Sequence, residues 1–184
     1  MKTYILIFNL FIYSTMAIAQ TSEWMNRIVQ DKNGNPMVLG PCDTSVLGIE
    51  PFASWFHTGL TRYVIDTACC DSLRPYAAGS EVLLFFGSWC GDSRREVPRM
   101  LKVLYNAGFT NEQIKLIGLG NGDSLYKQSP THEERGMDIK KVPTLVMRID
   151  GHESGRVVES PIESIEKDLL KMAMQRAYPP TLAH

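Results

Sequence analysis

Residues Phe85 to Met100 read FFGSWCGDSRREVPRM, and this stretch decides the reading of the chain. It is entered by the apolar run Glu81 to Phe86, which ends at Gly87 and suits a central strand buried on both faces. Cys90 follows, and then a helix is expected from about Asp92 to Ala107. Val97, Met100, Leu101 and Leu104 fall at helical spacing, and Gly108 is the expected stop. Pro98 would kink that helix, because it removes one N–H and clashes one turn back. A cysteine between strand and helix sits where free N–H groups and the positive dipole end favour a thiolate. Ser93, one turn on, is expected on the same face, with its hydroxyl placed to donate to the sulfur. Trp89 would shield one side of the sulfur, and Gly91 would let a partner backbone approach closely. In Cys90-Gly91-Asp92-Ser93 the last position carries oxygen instead of sulfur. Such a thiolate can attack a disulfide but cannot release its partner by closing a ring of its own. The competing reading of Cys90 is a buried core cysteine, the common fate of an unpaired one.

The run resembles the thioredoxin-like superfamily, especially the exported proteins of the TlpA/ResA kind, which carry W-C-x-x-C-[RK]-x-E-x-P. Trp89, Cys90, Ser93, Arg94, Glu96 and Pro98 fill the same spacing. A second mark is Lys141-Val142-Pro143-Thr144, which resembles the family's cis-proline loop facing the active cysteine. Leu145 to Ile149, an Asp150-Gly151 turn and Gly155 to Glu159 then follow as the family's last hairpin would. The chain is also similar to exported bacterial proteins with WCGDS, REVPR, V-P-T and a terminal E-S-P, in which the serine is normal. The match covers roughly residues 80–177.

The resemblance implies an α/β thioredoxin fold, a central mixed sheet flanked by helices, with an N-terminal extension. It implies an exported monothiol thiol–disulfide exchange protein, with Cys90, Ser93 and Glu96 as the catalytic set. Trp89, Gly91, Val142, Pro143 and Thr144 would bind substrate. A cis Pro143 would present the Val142 backbone to a substrate strand. The alternative is a module that keeps the fold and its peptide groove but does no turnover. Thioredoxins hold a buried aspartate six residues before the first cysteine; Leu84 stands there, so the usual proton acceptor is absent. Glu96 has two readings, a group tuning protonation near Cys90 or a member of a solvated face with Arg94 and Arg95. Asp92 is expected to be exposed and to oppose a thiolate.

Met1 to Ala19 has the pattern of a secretory signal: Lys2, an apolar run from Tyr4 to Tyr13, and Ala17-Ile18-Ala19 as an A-x-A cleavage site. The run falls short of the about 20 residues a bilayer span needs. No cysteine follows the cleavage site, which argues against a lipid anchor. The expected organisation is a signal peptide over 1–19, an extension over 20–79 and a thioredoxin-like domain over 80–184, in a periplasmic or secreted location. A formal charge of -1 offers no basic field for nucleic acid, and no stable membrane insertion is expected after cleavage. With 44% hydrophobic residues the chain can bury a core without relying on disulfides.

Asn26 to Leu39 reads as a hairpin around Asn33-Gly34. Pro41 to Pro75 reads as a variable region with a short helix around Pro51 to His57, its aromatics Phe52, Trp55, Phe56 and Tyr63 covering the core or lining a groove. Ile114 to Leu119 is the next buried strand, Gly120 to Thr131 a loop, and Thr131 to Gly136 a short helix. Ser160, Pro161 and Glu163 read as the cap of a last helix with Ile162, Ile165, Leu169 and Met172 as its apolar stripe. Cys42 is expected to pair with Cys69 or Cys70, an adjacent Cys69-Cys70 ring being the strained option. His57, His132, His152 and His184 show no ligand spacing, so no metal and no cofactor is expected. The Thr-x-x-Cys context of peroxiredoxins is absent, with Gly87 at the threonine position. The expected partners are protein or small-molecule thiols and disulfides.

Overall fold

The structure, a computed structural model, describes residues 23–122 and 124–174. The expected signal segment, Met1 to Ala19, lies outside the described residues. Seven strands and five α-helices are present in them. The strands are β1 (Ile28–Gln30), β2 (Pro36–Val38), β3 (Gly40–Cys42), β4 (Ser80–Phe86), β5 (Ile114–Gly118), β6 (Thr144–Ile149) and β7 (His152–Val158). The helices are α1 (Thr44–Leu47), α2 (Ala53–Arg62), α3 (Thr67–Leu73), α4 (Gly91–Asn106) and α5 (Ile165–Ala173), with a 3-10 turn over Arg74–Gly79.

The main sheet has the order β3-β5-β4-β6-β7. Only β4 and β5 run parallel; the other pairs are antiparallel. This α/β architecture, a five-stranded mixed sheet flanked by helices, is that of a thioredoxin-like fold. Strand β4 shows why an uninterrupted apolar run is needed at its centre. Side chains alternate along a strand, so Val82, Leu84 and Phe86 enter the larger core cluster while Leu83 and Phe85 enter a second one on the other face. Buried residues of all five described α-helices belong to the larger cluster. On the other face Met137 and Val142 cover Leu83, Phe85 and Ile117.

That cover is not helical. Thr131 to Gly136, expected as a short helix, forms turns. His132, Gly136 and Asp138 all have positive φ, at 62°, 75° and 52°, and right-handed helix cannot propagate through such residues. The N-terminal hairpin is present, with Ile28 opposite Val38. Its turn is set by Asp31 Oδ1, which accepts from the Asn33 and Asn35 N–H groups at 2.8 Å each, and by Gly34 at φ 81°. Residues 40–42, which the sequence placed at the start of a variable region, form the edge strand β3, with Gly40 opposite Gly118. Pro41 is tolerated there because an edge strand leaves half its N–H positions unpaired.

Helix α4 carries Pro98 in its interior, buried, and α2 crosses it at Gly59. A Cβ at Gly59 would overlap the Pro98 ring, so the missing side chain allows the helices to pack this closely. Phe52 and Phe56 are buried in the core beside this crossing, and Trp55 and Tyr63 pack against it half-buried. Phe52 and Phe56 therefore cover the core, and Trp55 and Tyr63 sit at its margin. Gly108, at φ 88°, follows α4 as expected.

The last helix begins later than Ser160 suggested. Ser164 is its cap and accepts from Lys167 N–H at 3.2 Å. The buried Asp168 carboxylate accepts from the Ile162 and Glu163 N–H groups at 2.6 and 3.3 Å, which holds residues 161–163 in a turn. Ile162 is accordingly 51% exposed and lies outside the apolar stripe, which keeps Ile165, Leu169 and Met172.

No disulfide forms: Cys42, Cys69, Cys70 and Cys90 are all free thiols. Cys42 is buried in the edge strand, and the Cys70 thiol points under α4, 4.0 Å from the Val103 carbonyl oxygen. Cys69 and Cys70 are neighbours on α3, and helical neighbours point about 100° apart, which rules out the adjacent ring in this conformation.

Candidate functional site around Cys90

Strand β4 ends at Phe86, and the backbone turns through Gly87, Ser88 and Trp89 to place Cys90 as the N-cap residue of α4. The turn is pinned at several points. Cys90 N–H donates to Gly87 O at 2.8 Å. Ser93 Oγ, fully buried, accepts from Gly87 N–H at 3.1 Å. Ser88, also fully buried, accepts through Oγ from Val38 N–H at 2.9 Å, which ties the N-terminal hairpin to the motif. Arg94 Nε donates to Ser88 O at 2.6 Å.

The Ser93 hydroxyl thus serves the backbone of the turn, and its recorded bond is not to the Cys90 sulfur. The same turn brings Trp89 back over Gly87, whose missing Cβ leaves room for the indole. Trp89 Nε1 donates to Leu119 O at 2.8 Å, and its ring lies 6.4 Å from that of Tyr126. Tyr126 is 55% exposed, so this pair makes an aromatic wall at the surface.

Cys90 is half-buried, packed with Trp89 and Ile139 against the second core cluster. Its sulfur makes no capping bond to the first-turn amides; Sγ donates to Val142 O at 3.4 Å. The Val142-Pro143 bond is cis. Val142, Pro143 and Thr144 are themselves buried, with Thr144 Oγ1 bound to Lys141 O at 2.7 Å and Pro143 O accepting from Glu159 N–H at 2.7 Å. Gly91 is exposed, and a Cβ there would meet nothing within 4 Å. Access to the sulfur is therefore open over Gly91 and closed beneath by the Val142 loop.

Of the residues singled out in the sequence, Trp89, Cys90, Gly91 and Val142 meet at the sulfur or its rim. Glu96 does not join them by any recorded contact. It is 4% exposed, and its carboxylate pairs with Arg95 Nε at 2.6 Å and Arg99 at 3.2 Å, so the solvated-face reading fails as well. Arg99 also lies over the Tyr63 ring at 5.7 Å, so Glu96 belongs to the α2–α4 junction. Asp92 is half-buried and paired with Arg95 at 2.8 Å, which offsets its charge. Leu84 is fully buried in the core.

The other thiols are poor nucleophiles. Burial, with Asp43 beside it, pushes the Cys42 thiol far up. Burial, with Glu166 near, pushes Cys70 up to about 11, and Cys69 is raised by burial and by Asp66. A thiolate is the attacking species in disulfide exchange, so all three are disfavoured as nucleophiles near neutral pH.

The sequence reading missed Ser88 and Tyr126, and Arg94 entered it only as a position of the motif; Ser88 acts across fifty residues. The chain matches no protein-family model and no curated protein. No helix among the described residues is long and apolar enough to cross a membrane. Among the same residues there is no group of three or more His, Cys, Asp or Glu side chains that could hold a metal ion.

Proposed function

We propose that the protein is an exported monothiol thioredoxin-like exchange protein, related to the TlpA/ResA kind, in which Cys90 is the attacking thiol. The observation that carries this reading is the setting of Cys90. It is a half-buried thiol at the start of a 16-residue helix, open over Gly91 and adjacent to the Val142-Pro143 loop. A helix of this length puts its positive end at the reacting sulfur, where negative charge develops.

The Cys90 thiolate attacks a substrate disulfide, forming a mixed disulfide and releasing one substrate thiolate. No second nucleophile is placed to resolve that bond: Ser93 carries oxygen, and the other thiols are held protonated. An external thiol completes the cycle, which suits exchange or isomerisation better than net reduction. Protein or small-molecule disulfides are the substrates, and the signal-like segment Met1 to Ala19 directs the chain to a periplasmic or secreted location.

A binding module without turnover is the second reading. It is favoured by the Ser93 hydroxyl, which accepts from the Gly87 N–H and so serves the backbone of the turn. Incubating the protein with an oxidised dithiol peptide, quenching with acid and mapping adducts by mass spectrometry tests the exchange reading. A mixed disulfide confined to Cys90 supports it, and no adduct at Cys90 would refute it.

A further inference from the structure

A groove of about 550 Å³ runs beside the motif, between the N-terminal hairpin, the start of α2 and the first turn of α4. Trp55 and Trp89 line it, with Asp31, Arg94 and Asn121. Arg94 is the arginine of its helix turn with no carboxylate partner: Arg95 pairs with Asp92 and Glu96, and Arg99 with Glu96, whereas Arg94 forms no ion pair among the described residues. With Nε given to Ser88 O, its outer guanidinium nitrogens remain for an anion.

Asn121 is 8% exposed and donates through Nδ2 to Asp31 Oδ2 at 3.2 Å. A carboxylate only accepts, so the amide orientation is fixed with Oδ1 as the remaining atom. That Oδ1 is buried without a hydrogen-bond partner among the described residues. That oxygen has no accessible surface, so Asn121 serves the groove by holding the Asp31 carboxylate in place. Asp31 itself faces no cation in any ion pair of the described residues, and the Asn35 N–H bond holds its carboxyl below the usual carboxylate range. The groove therefore offers a cation at one side, a carboxylate at the other, and indole surface between them.

We infer that this groove takes the external thiol of the exchange cycle, a small peptide-like thiol with a carboxylate for Arg94 and an N–H donor for Asp31. The inference rests on the exchange reading of Cys90. Trp89 is both a wall of the groove and the chain neighbour of Cys90, and Arg94 lies one helical turn beyond it, with its N–H on Cys90 O at 3.0 Å. A dipeptide extends about 7 Å, so one held by Arg94 lies along the indole of Trp89, the residue next to Cys90. Its thiol loses a proton and attacks the substrate sulfur of the mixed disulfide. The bond from that sulfur to Cys90 breaks, Cys90 leaves as the thiolate and regains a proton, and the dipeptide departs disulfide-bonded to the substrate. One disulfide is consumed and one formed, with no net change in oxidation.

Binding and chemistry are separable with two dipeptides. Alanylglycine, which lacks sulfur, is titrated against the Cys90→Ser full chain while the indole N–H signals of Trp55 and Trp89 are followed by NMR. Saturable shifts are expected, weakened roughly tenfold by Arg94→Gln and equally by use of alanylglycinamide, as loss of one charge-assisted pair implies. In wild type carrying a thionitrobenzoate mixed disulfide at Cys90, cysteinylglycine is expected to free the Cys90 thiol with saturating kinetics, read as loss of the adduct by acid-quenched mass spectrometry, whereas cysteinylglycinamide gives a linear dependence. No saturable shift, or equal affinity in Arg94→Gln, overturns the groove assignment. If Cys90 still forms its adduct with an oxidised dithiol peptide, the exchange reading survives that failure. Alanylglycine binding together with a linear dependence of adduct loss on cysteinylglycine overturns the thiol role of the groove.

Discussion

The Cys90 Sγ donates to the Val142 carbonyl oxygen at 3.4 Å, joining the start of α4 to the loop before β6 across 52 residues of chain. Two segments distant in sequence thus meet at one sulfur. The meeting is a consequence of the sheet: β4 and β6 are neighbours, with Phe85 opposite Thr144, so the segments just beyond them must come together.

Ser93 should behave as a structural residue whose sulfur counterpart changes the chemistry. Ser93→Ala leaves the buried Gly87 N–H without its acceptor, and a loss of about 1–3 kcal/mol is expected in urea unfolding. Ser93→Cys should convert the persistent Cys90 mixed disulfide into a short-lived one. The introduced thiol attacks Cys90, closes an intramolecular disulfide and releases the substrate thiol. Adduct lifetime without added thiol, followed by mass spectrometry, reads this directly.

Two glycines should respond oppositely to the same substitution. Gly59→Ala drives a methyl into the Pro98 ring and should destabilise by about 1–3 kcal/mol. Gly91→Ala meets open space at the first turn of α4 and should leave stability within about 0.5 kcal/mol. Paired denaturant melts compare them, and a bulkier residue at 91 should slow attack on large disulfides more than on small ones.

Much of this was legible in advance because local physics dictated it. The run Glu81 to Phe86, the strand-to-helix cysteine, the Asn33-Gly34 turn and the Asp150-Gly151 hairpin each carry their own periodicity or turn chemistry. What escaped notice depends on distant partners. Gly40 to Cys42 becomes a strand because β5 offers an edge. Ser160 loses the helix cap because Asp168 claims the Ile162 and Glu163 N–H groups that such a cap would take. Ser88 is indistinguishable from a loop serine until Val38 lies beneath it. Glu96 could be placed on its helix, but its pairing with Arg95 and Arg99 needed the α2–α4 packing to exclude water.

The protonated state of Cys70 should leave a mark on stability. Its folded value is raised to about 11, above the ordinary thiol value of about 8.5. The unfolded chain then releases its proton first as pH rises. The stabilisation is complete below about 8.5 and declines progressively between there and about 11. Melting temperatures from pH 8 to pH 11 should fall, and Cys70→Ala should flatten that part of the profile relative to wild type.

The central claim is that Cys90 performs exchange, and a scrambled-disulfide refolding assay tests it most directly. Wild type and Cys90→Ser are compared for recovery of a scrambled substrate protein with a catalytic amount of external thiol present. The account predicts that wild type accelerates recovery and that Cys90→Ser, equally folded by circular dichroism, falls to the rate of the external thiol alone. Equal acceleration by the two proteins would contradict it.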